Sequence, residues 1–466
     1  MNNICEVGFM KHSPWIIRSV CVSAAALLSC PLMAAEPGPV APKVLWVLKL
    51  QEHFVAAPVV ADGRLFVSGL AAFNSGAIHA LAIEPDAKQR VLWTKSPPYL
   101  KLPTVSAPAI VDGKLIFGDG MHQTDGAVLH CLLADSGRPV WQLPMPGQLV
   151  HLEGSPAVVE GKLYMGGGSA GVFCVDIGRV SLDGKELTLA ETQAVLEKQW
   201  KVLLEKYELE KKQDPDFAIP PSEDSLPKPA PKLIWNVGRD KWHVDSSVAV
   251  SGDRLLAASA YLDNERLGDR ALYCLKTTDG SMLWKAPLKY NPWGGPTVAG
   301  KLVVLCSSSI RLDPKDLKGA KGEISAHDLE TGEVRWRKEI PGGLVSSAAV
   351  AGDSVVCTAT DGKLRAFSVK TGSPLWTYPA GPMFAGASIA GDTVYAADLL
   401  GVVHAVGLTD GQSRWKLNLA TDPAVAAPGM IYGTPLVQGG RLYVASCNLE
   451  GPDQRRPGAV VCIGEK

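Results

Sequence analysis

The sequence predicts an all-β protein, an eight-bladed β-propeller with one helical insertion, and three observations carry that prediction. Tryptophans that close an apolar strand recur at Trp46, Trp93, Trp141, Trp235, Trp284, Trp336, Trp376 and Trp415. Most are roughly 40–50 residues apart, and one gap, Trp141 to Trp235, is about twice as long. Ten residues before a Trp stands a small residue (Cys131, Cys274, Ala326, Ala366, Ala405), and four before it a glycine (Gly137, Gly280, Gly332, Gly372, Gly411). Third, a hairpin pattern at 57–67 returns at 107–117, 155–165, 246–257, 295–304, 346–356, 385–395 and 434–444. Asp-Gly, Glu-Gly and Gly-Asp pairs between alternating apolar residues are strong turn signals. Two hairpins per unit give a four-stranded sheet that must pack on its neighbours, as propeller blades do. A parallel β-helix is the alternative, but its coils are shorter and need no tight hairpins.

From the N-terminus, Lys11, His12 and Arg18 precede an apolar run of small residues at 19–28, followed by Pro31 and Ala34-Ala35. That layout predicts a secretory signal peptide over 1–35 and export to the periplasm or cell envelope. Leu27-Leu28-Ser29-Cys30 approximates a lipoprotein processing box in which Leu28 fits poorly, so lipid anchoring through Cys30 is the variant of this expectation. The propeller is assigned 36–466, with the strand near 44–49 completing the sheet begun at 433–462. Such closure removes exposed strand edges, and the ring is expected to be a monomer.

The repeat is clearest at 326–336. Ala326 ends an alternating strand, Thr331-Gly332 makes the turn, and Val334 and Trp336 restart the alternation. His327 is expected on the outer, solvent-facing side. Ala80, Cys174 and Cys462 occupy the same strand position as Ala326 where the spacing drifts, which explains four cysteines (with Cys131 and Cys274) as small buried side chains. Three of the ten cysteines precede residue 36, and the other seven include no adjacent pair and no Cys-x-x-Cys.

The doubled gap holds an insertion at 182–231 within the third repeat. Thr188-Leu189-Ala190-Glu191 reads as a capping box. Leu196, Trp200, Leu203, Leu204 and Tyr207 then share one helical face, expected to dock on the propeller side. Pro215, Pro220, Pro221, Pro227, Pro229 and Pro231 predict an extended tract.

The chain's 46 Lys+Arg balance 47 Asp+Glu, which offers no electrostatic footprint for nucleic acid. No stretch after residue 36 is apolar for long enough to span a bilayer as a helix. Nucleophile-elbow, phosphate-loop, dinucleotide and His-Glu-x-x-His motifs are absent from the sequence.

Strand order places the enlarged loops (69–76, 118–126, 260–270, 307–322 and 447–458) on one face, where a rigid scaffold usually binds its ligand. The blade-to-blade segments on that face should rim the central channel. They supply His53, His151, Glu153, His243, Asp245, Asn291, Trp293, Phe384 and Tyr432 as ligand-binding candidates. Residues two apart in extended chain point the same way. His151 with Glu153 and His243 with Asp245, on consecutive blades, could therefore converge on a divalent metal such as zinc. The competing reading has His243 and Asp245 satisfying each other. His122 and the acids of 263–269 read as solvated loop residues.

The blade motif, with Ala326, Asp328, Thr331, Gly332 and Trp336 as its best copy and Trp141, Trp284, Trp376 and Trp415 as its recurring anchors, is similar to the blade-docking motif of pyrroloquinoline-quinone (PQQ) repeat propellers. That family includes quinoprotein alcohol dehydrogenases and BamB-like outer-membrane assembly lipoproteins, both eight-bladed. The resemblance spans nearly all of the chain after Lys43. It implies either a binding scaffold for a protein, peptide or envelope component, or a dehydrogenase using PQQ and calcium with Glu153 and Asp245 near the cofactor. The dehydrogenases carry an adjacent cysteine pair that this chain lacks, and their calcium ligands match no positions here. A metal-dependent hydrolase on His151, Glu153, His243 and Asp245 is the third reading.

Overall fold

Eight antiparallel sheets follow one another in the computed structural model, which describes residues 42–122, 124–310, 314–449 and 454–464. The expected signal peptide and Cys30 lie outside the described residues. Blades 1 to 7 cover 59–95, 109–145, 157–237, 249–287, 297–341, 349–379 and 388–418. Blade 8 takes three strands from 436–464 and its outermost strand, Lys43–Leu50, from the other end of the chain. Phe54, Leu65 and Leu81 pack with Trp46 and Tyr443 in one apolar cluster, which joins the last blade to the first. Each innermost strand is only three residues long. The turns within hairpins therefore fall on one face, and the connections between hairpins and between blades on the other.

In all eight blades the tryptophan pairs across the outer strand with the small residue. The pairs are Trp46–Cys462, Trp93–Ala80, Trp141–Cys131, Trp235–Cys174, Trp284–Cys274, Trp336–Ala326, Trp376–Ala366 and Trp415–Ala405. At each pair the register slips, a bulge that adds local twist and re-aims the side chain. The indole then reaches the next blade. Trp284 Nε1 donates to Leu329 O at 3.1 Å, Trp336 Nε1 to Val369 O at 2.7 Å and Trp376 Nε1 to Leu408 O at 2.7 Å. Each ring also lies on the glycine of that blade's turn. Gly332 has φ +75°, and a Cβ there would come within 2.5 Å of Trp284. Asp328 shapes the same turn by accepting from the Glu330 and Thr331 amides, both at 3.0 Å. Arg335, then the Thr331 amide, holds its carboxyl down at about 2.

His327 corrects the expectation of a solvent-facing residue. It is fully buried, with Ser325 Oγ 3.0 Å from Nε2 and Gly332 O 3.2 Å from Nδ1. In a propeller both faces of a middle strand meet protein, so period-two alternation there has no wet side.

The insertion forms helix α1 (Leu189–Gln213), started by the Thr188/Glu191 capping box. Leu196 is buried and Trp200, Leu203 and Tyr207 are half-buried, but Leu204 is exposed, because at ~100° per residue it falls on the flank of the stripe that α1 turns to blades 2 and 3. Leu226 is buried after the helix, a short 3-10 turn (Glu223–Ser225) interrupts the tract expected to be extended, and the Lys95–Glu223 ion pair ties it down.

Gly332→Ala should lower stability by about 2–4 kcal/mol, since it adds both backbone strain and overlap with Trp284. Gly352→Ala, at φ +58° with open space around its Cβ, should cost only about 1–2 kcal/mol. Urea unfolding of the two variants separates the contact from the strain; equal losses would remove the stacking contribution.

Candidate functional site

Three connections on the loop-rich face converge at the mouth between blades 2, 3 and 4. His122 sits in the connection inside blade 2, His151 and Glu153 in the passage to blade 3, and His243 and Asp245 in the passage to blade 4. Backbone bonds hold these segments. Gly168 and Val244 exchange hydrogen bonds of 3.0 and 3.1 Å, Leu152 N donates to Asp119 O at 3.0 Å, and Ala260 N donates to His243 O at 2.8 Å. Ser259 Oγ accepts from His243 N at 2.9 Å. Close approach demands glycine here: a Cβ on Gly168 would lie 3.0 Å from His151 Nε2, and one on Gly120 3.2 Å from His151 Cα.

His151 and His243 are fully buried, their ring centroids 5.1 Å apart, with His122 at 5.8 and 6.0 Å from them. Asp245 bridges the two buried rings, with Oδ1 2.7 Å from His151 Nε2 and Oδ2 3.0 Å from His243 Nε2. Glu153 Oε1 stands 3.9 Å from His151 Nε2. Burial alone would push the Asp245 carboxyl up, but His243 and His151 together outweigh it and hold the group well below the carboxylate range. Burial likewise opposes protonation of His151, and Asp245 overcomes this to raise its pKa. Glu153, desolvated and beside Asp245, is pushed up to about 7. Burial lowers His122, against a smaller pull from Asp245.

His122 is thus a member of the cluster, which corrects its reading as a solvated loop residue. It comes from a third segment and has no spacing relation to the other four, so only the fold brings it in. His130 and His404 gave no sequence signal either. Each is buried on a carboxylate, Asp119 at 2.8 Å and Asp398 at 2.9 Å, and both pairs are satisfied structural contacts.

The remaining rim candidates lie elsewhere. Phe384 and Tyr432 meet edge-on, ring centroids 5.4 Å apart, and both are half-buried. Trp293, also half-buried, donates Nε1 to Ile310 O at 2.6 Å. The Asn291 amide accepts from Tyr261 N and Arg270 Nε, both at 3.0 Å, and donates to Tyr261 O at 3.1 Å. His53 Nδ1 accepts from Asn448 N at 3.2 Å.

A family model described as outer membrane protein assembly factor BamB matches residues 40–203, 225–319 and 315–451. BamB of Shewanella oneidensis is 31% identical over 141 residues, which is 28% of this chain and 35% of that protein. The matches to curated BamB relatives thus span about a third of their length. Among solved structures, BamB from Moraxella catarrhalis aligns with a TM-score of 0.58 at 16% identity, covering 91% of this chain and 98% of that one. Quinohemoprotein alcohol dehydrogenase from Comamonas testosteroni aligns with a TM-score of 0.59 at 14% identity, covering 91% and 77%. These structural likenesses show the eight-bladed fold.

In chelator-treated protein, Asp245→Asn should bring the His151 titration below the ordinary value of about 6.5, because burial then outweighs the remaining pull of Glu153. The depressed Asp245 contributes stability above about pH 3.9 that is lost as pH falls through its folded value. The raised His151 contributes stability below about pH 6.5 that is lost as pH rises through its folded value. The variant should therefore lose most between those limits, about 1–3 kcal/mol, since the imidazoles can shed a proton. NMR titration and urea unfolding across pH check this; an unmoved His151 pKa would contradict it.

Proposed function

The chain belongs to the family of outer membrane protein assembly factor BamB, and from that premise we propose that it is an exported propeller scaffold that binds a protein or peptide of the cell envelope on its loop-rich face. The observation that carries the reading is the half-buried aromatic arc of the channel rim. Trp293, Phe384 and Tyr432 come from three different blade passages and stand on a rigid ring. Aromatic anchors in partly desolvated positions dominate protein interfaces, and a rigid scaffold presents them at little entropic cost. Export rests on the expected signal peptide at 1–35, with attachment through Cys30 as its lipid-anchored form. No helix among the described residues is long and apolar enough to cross a membrane.

The quinoprotein relatives raise PQQ and calcium, and the rim residues do not fit them. Calcium in a quinone site needs a set of oxygen donors. Here the Asn291 amide is occupied by Tyr261 and Arg270, and Glu153 and Asp245 face imidazoles. The seven described cysteines are buried, and none forms a disulfide.

Photo-crosslinkers placed at 384 and 432 in the native host should trap an envelope protein. Phe384→Ala and Tyr432→Ala should each weaken the isolated complex about 10-fold or more, while Leu209→Glu on α1 leaves it unchanged. A stoichiometric redox-active quinone on the purified protein, or no adduct at either position, would overturn the reading.

A further inference from the structure

The scaffold role makes no use of the buried polar centre at the mouth of blades 2, 3 and 4. One ligand-capable atom from each of His122, His151, His243 and Asp245 lies within 4.8 Å of all the others. Four donors at ~2.0–2.1 Å from a tetrahedral zinc ion stand ~3.4 Å from one another. The observed separations, from 2.7 Å between His151 Nε2 and Asp245 Oδ1 up to 4.8 Å, bracket that value. Small side-chain rotations would seat an ion, with the backbone where it is.

A purely hydrogen-bonded cluster is the competing description, and its polar groups are not satisfied. His243 is fully buried, yet neither ring nitrogen makes a hydrogen bond. Its Nε2 comes to 3.0 Å from Asp245 Oδ2 without the alignment a hydrogen bond requires. His151 Nδ1 and Glu153 Oε1 are unpartnered as well. Buried polar atoms are nearly always paired, so orphans gathered in one place call for a missing partner. A cation shared by the imidazole and carboxylate lone pairs gives the His243 ring the partner it lacks.

We propose that His122, His151, His243 and Asp245 bind a divalent transition-metal ion of the zinc class and clamp together three loops of blades 2, 3 and 4. Three imidazoles and one carboxylate suit such borderline cations, whereas calcium and magnesium prefer all-oxygen shells. Four protein donors complete a tetrahedral shell, the arrangement of a structural site and not of one that keeps a position open for substrate.

Chelator-stripped protein titrated with Co2+ should develop visible d–d absorption of tetrahedral intensity that saturates at one equivalent. Zn2+ should displace the signal and raise Tm. His122→Ala, a change at a half-buried loop residue, should weaken binding by more than the roughly 10–100-fold that loss of an outer partner costs, and His53→Ala should leave it unchanged. Folded wild-type protein with only weak octahedral-type absorption, or a folded His122→Ala variant binding Co2+ as tightly as wild type, would overturn the proposal.

Discussion

One contact, made again and again, holds the ring: an indole laid on the glycine of the next blade's turn, its N–H satisfied by a carbonyl of that turn. Apolar burial between blades is non-directional and would tolerate a range of rotations. The hydrogen bond from Trp336 Nε1 to Val369 O and the absence of a side chain at Gly372 do not. The small residue opposite each Trp and the bulge beside it serve that contact, by making room for the ring and by turning it outward.

The insertion is where this joint changes form. Trp141 is buried and paired with Cys131 like its counterparts, but its Nε1 has no hydrogen-bond partner. The third blade carries α1 and the proline-rich return in place of the short turn. Other contacts take over there: Gln142 N donates to Pro229 O at 2.9 Å, Lys95 pairs with Glu223, and Leu196 and Leu226 are buried. On the opposite face the polar centre of His122, His151, His243 and Asp245 spans the same blades. This junction, whose indole lacks the regular hydrogen bond, is thus tied from both ends.

Nearly all of the fold was legible because its determinants recur. Ala326, Gly332 and Trp336 have counterparts at fixed offsets, and cysteine at 131, 174, 274 and 462 was readable as a small side chain from that repetition. His327 was misread because alternation reports a change of face and cannot report whether the second face is wet. Leu204 was misplaced because a helical stripe gives a direction of burial but not how wide the buried face is, and Leu204 stands at its flank while Tyr207, farther along α1, is half-buried. For the site, the two-residue spacing within His151–Glu153 and His243–Asp245 was visible. His122 was not, since its place depends on how the connection inside blade 2 folds across the channel mouth.

The rim is divided by chemistry. The passages between blades 2, 3 and 4 carry imidazoles and carboxylates, while those entering blades 5, 7 and 8 carry Trp293, Phe384 and Tyr432. A partner seated on the aromatic arc desolvates apolar surface and need not cover the charged arc, where polar groups would be costly to strip of water. Irregular loops can specialise in this way only because the repeat beneath them keeps each one at a set distance from the next. The regular residues determine the geometry, and the non-repeating residues carry the chemistry.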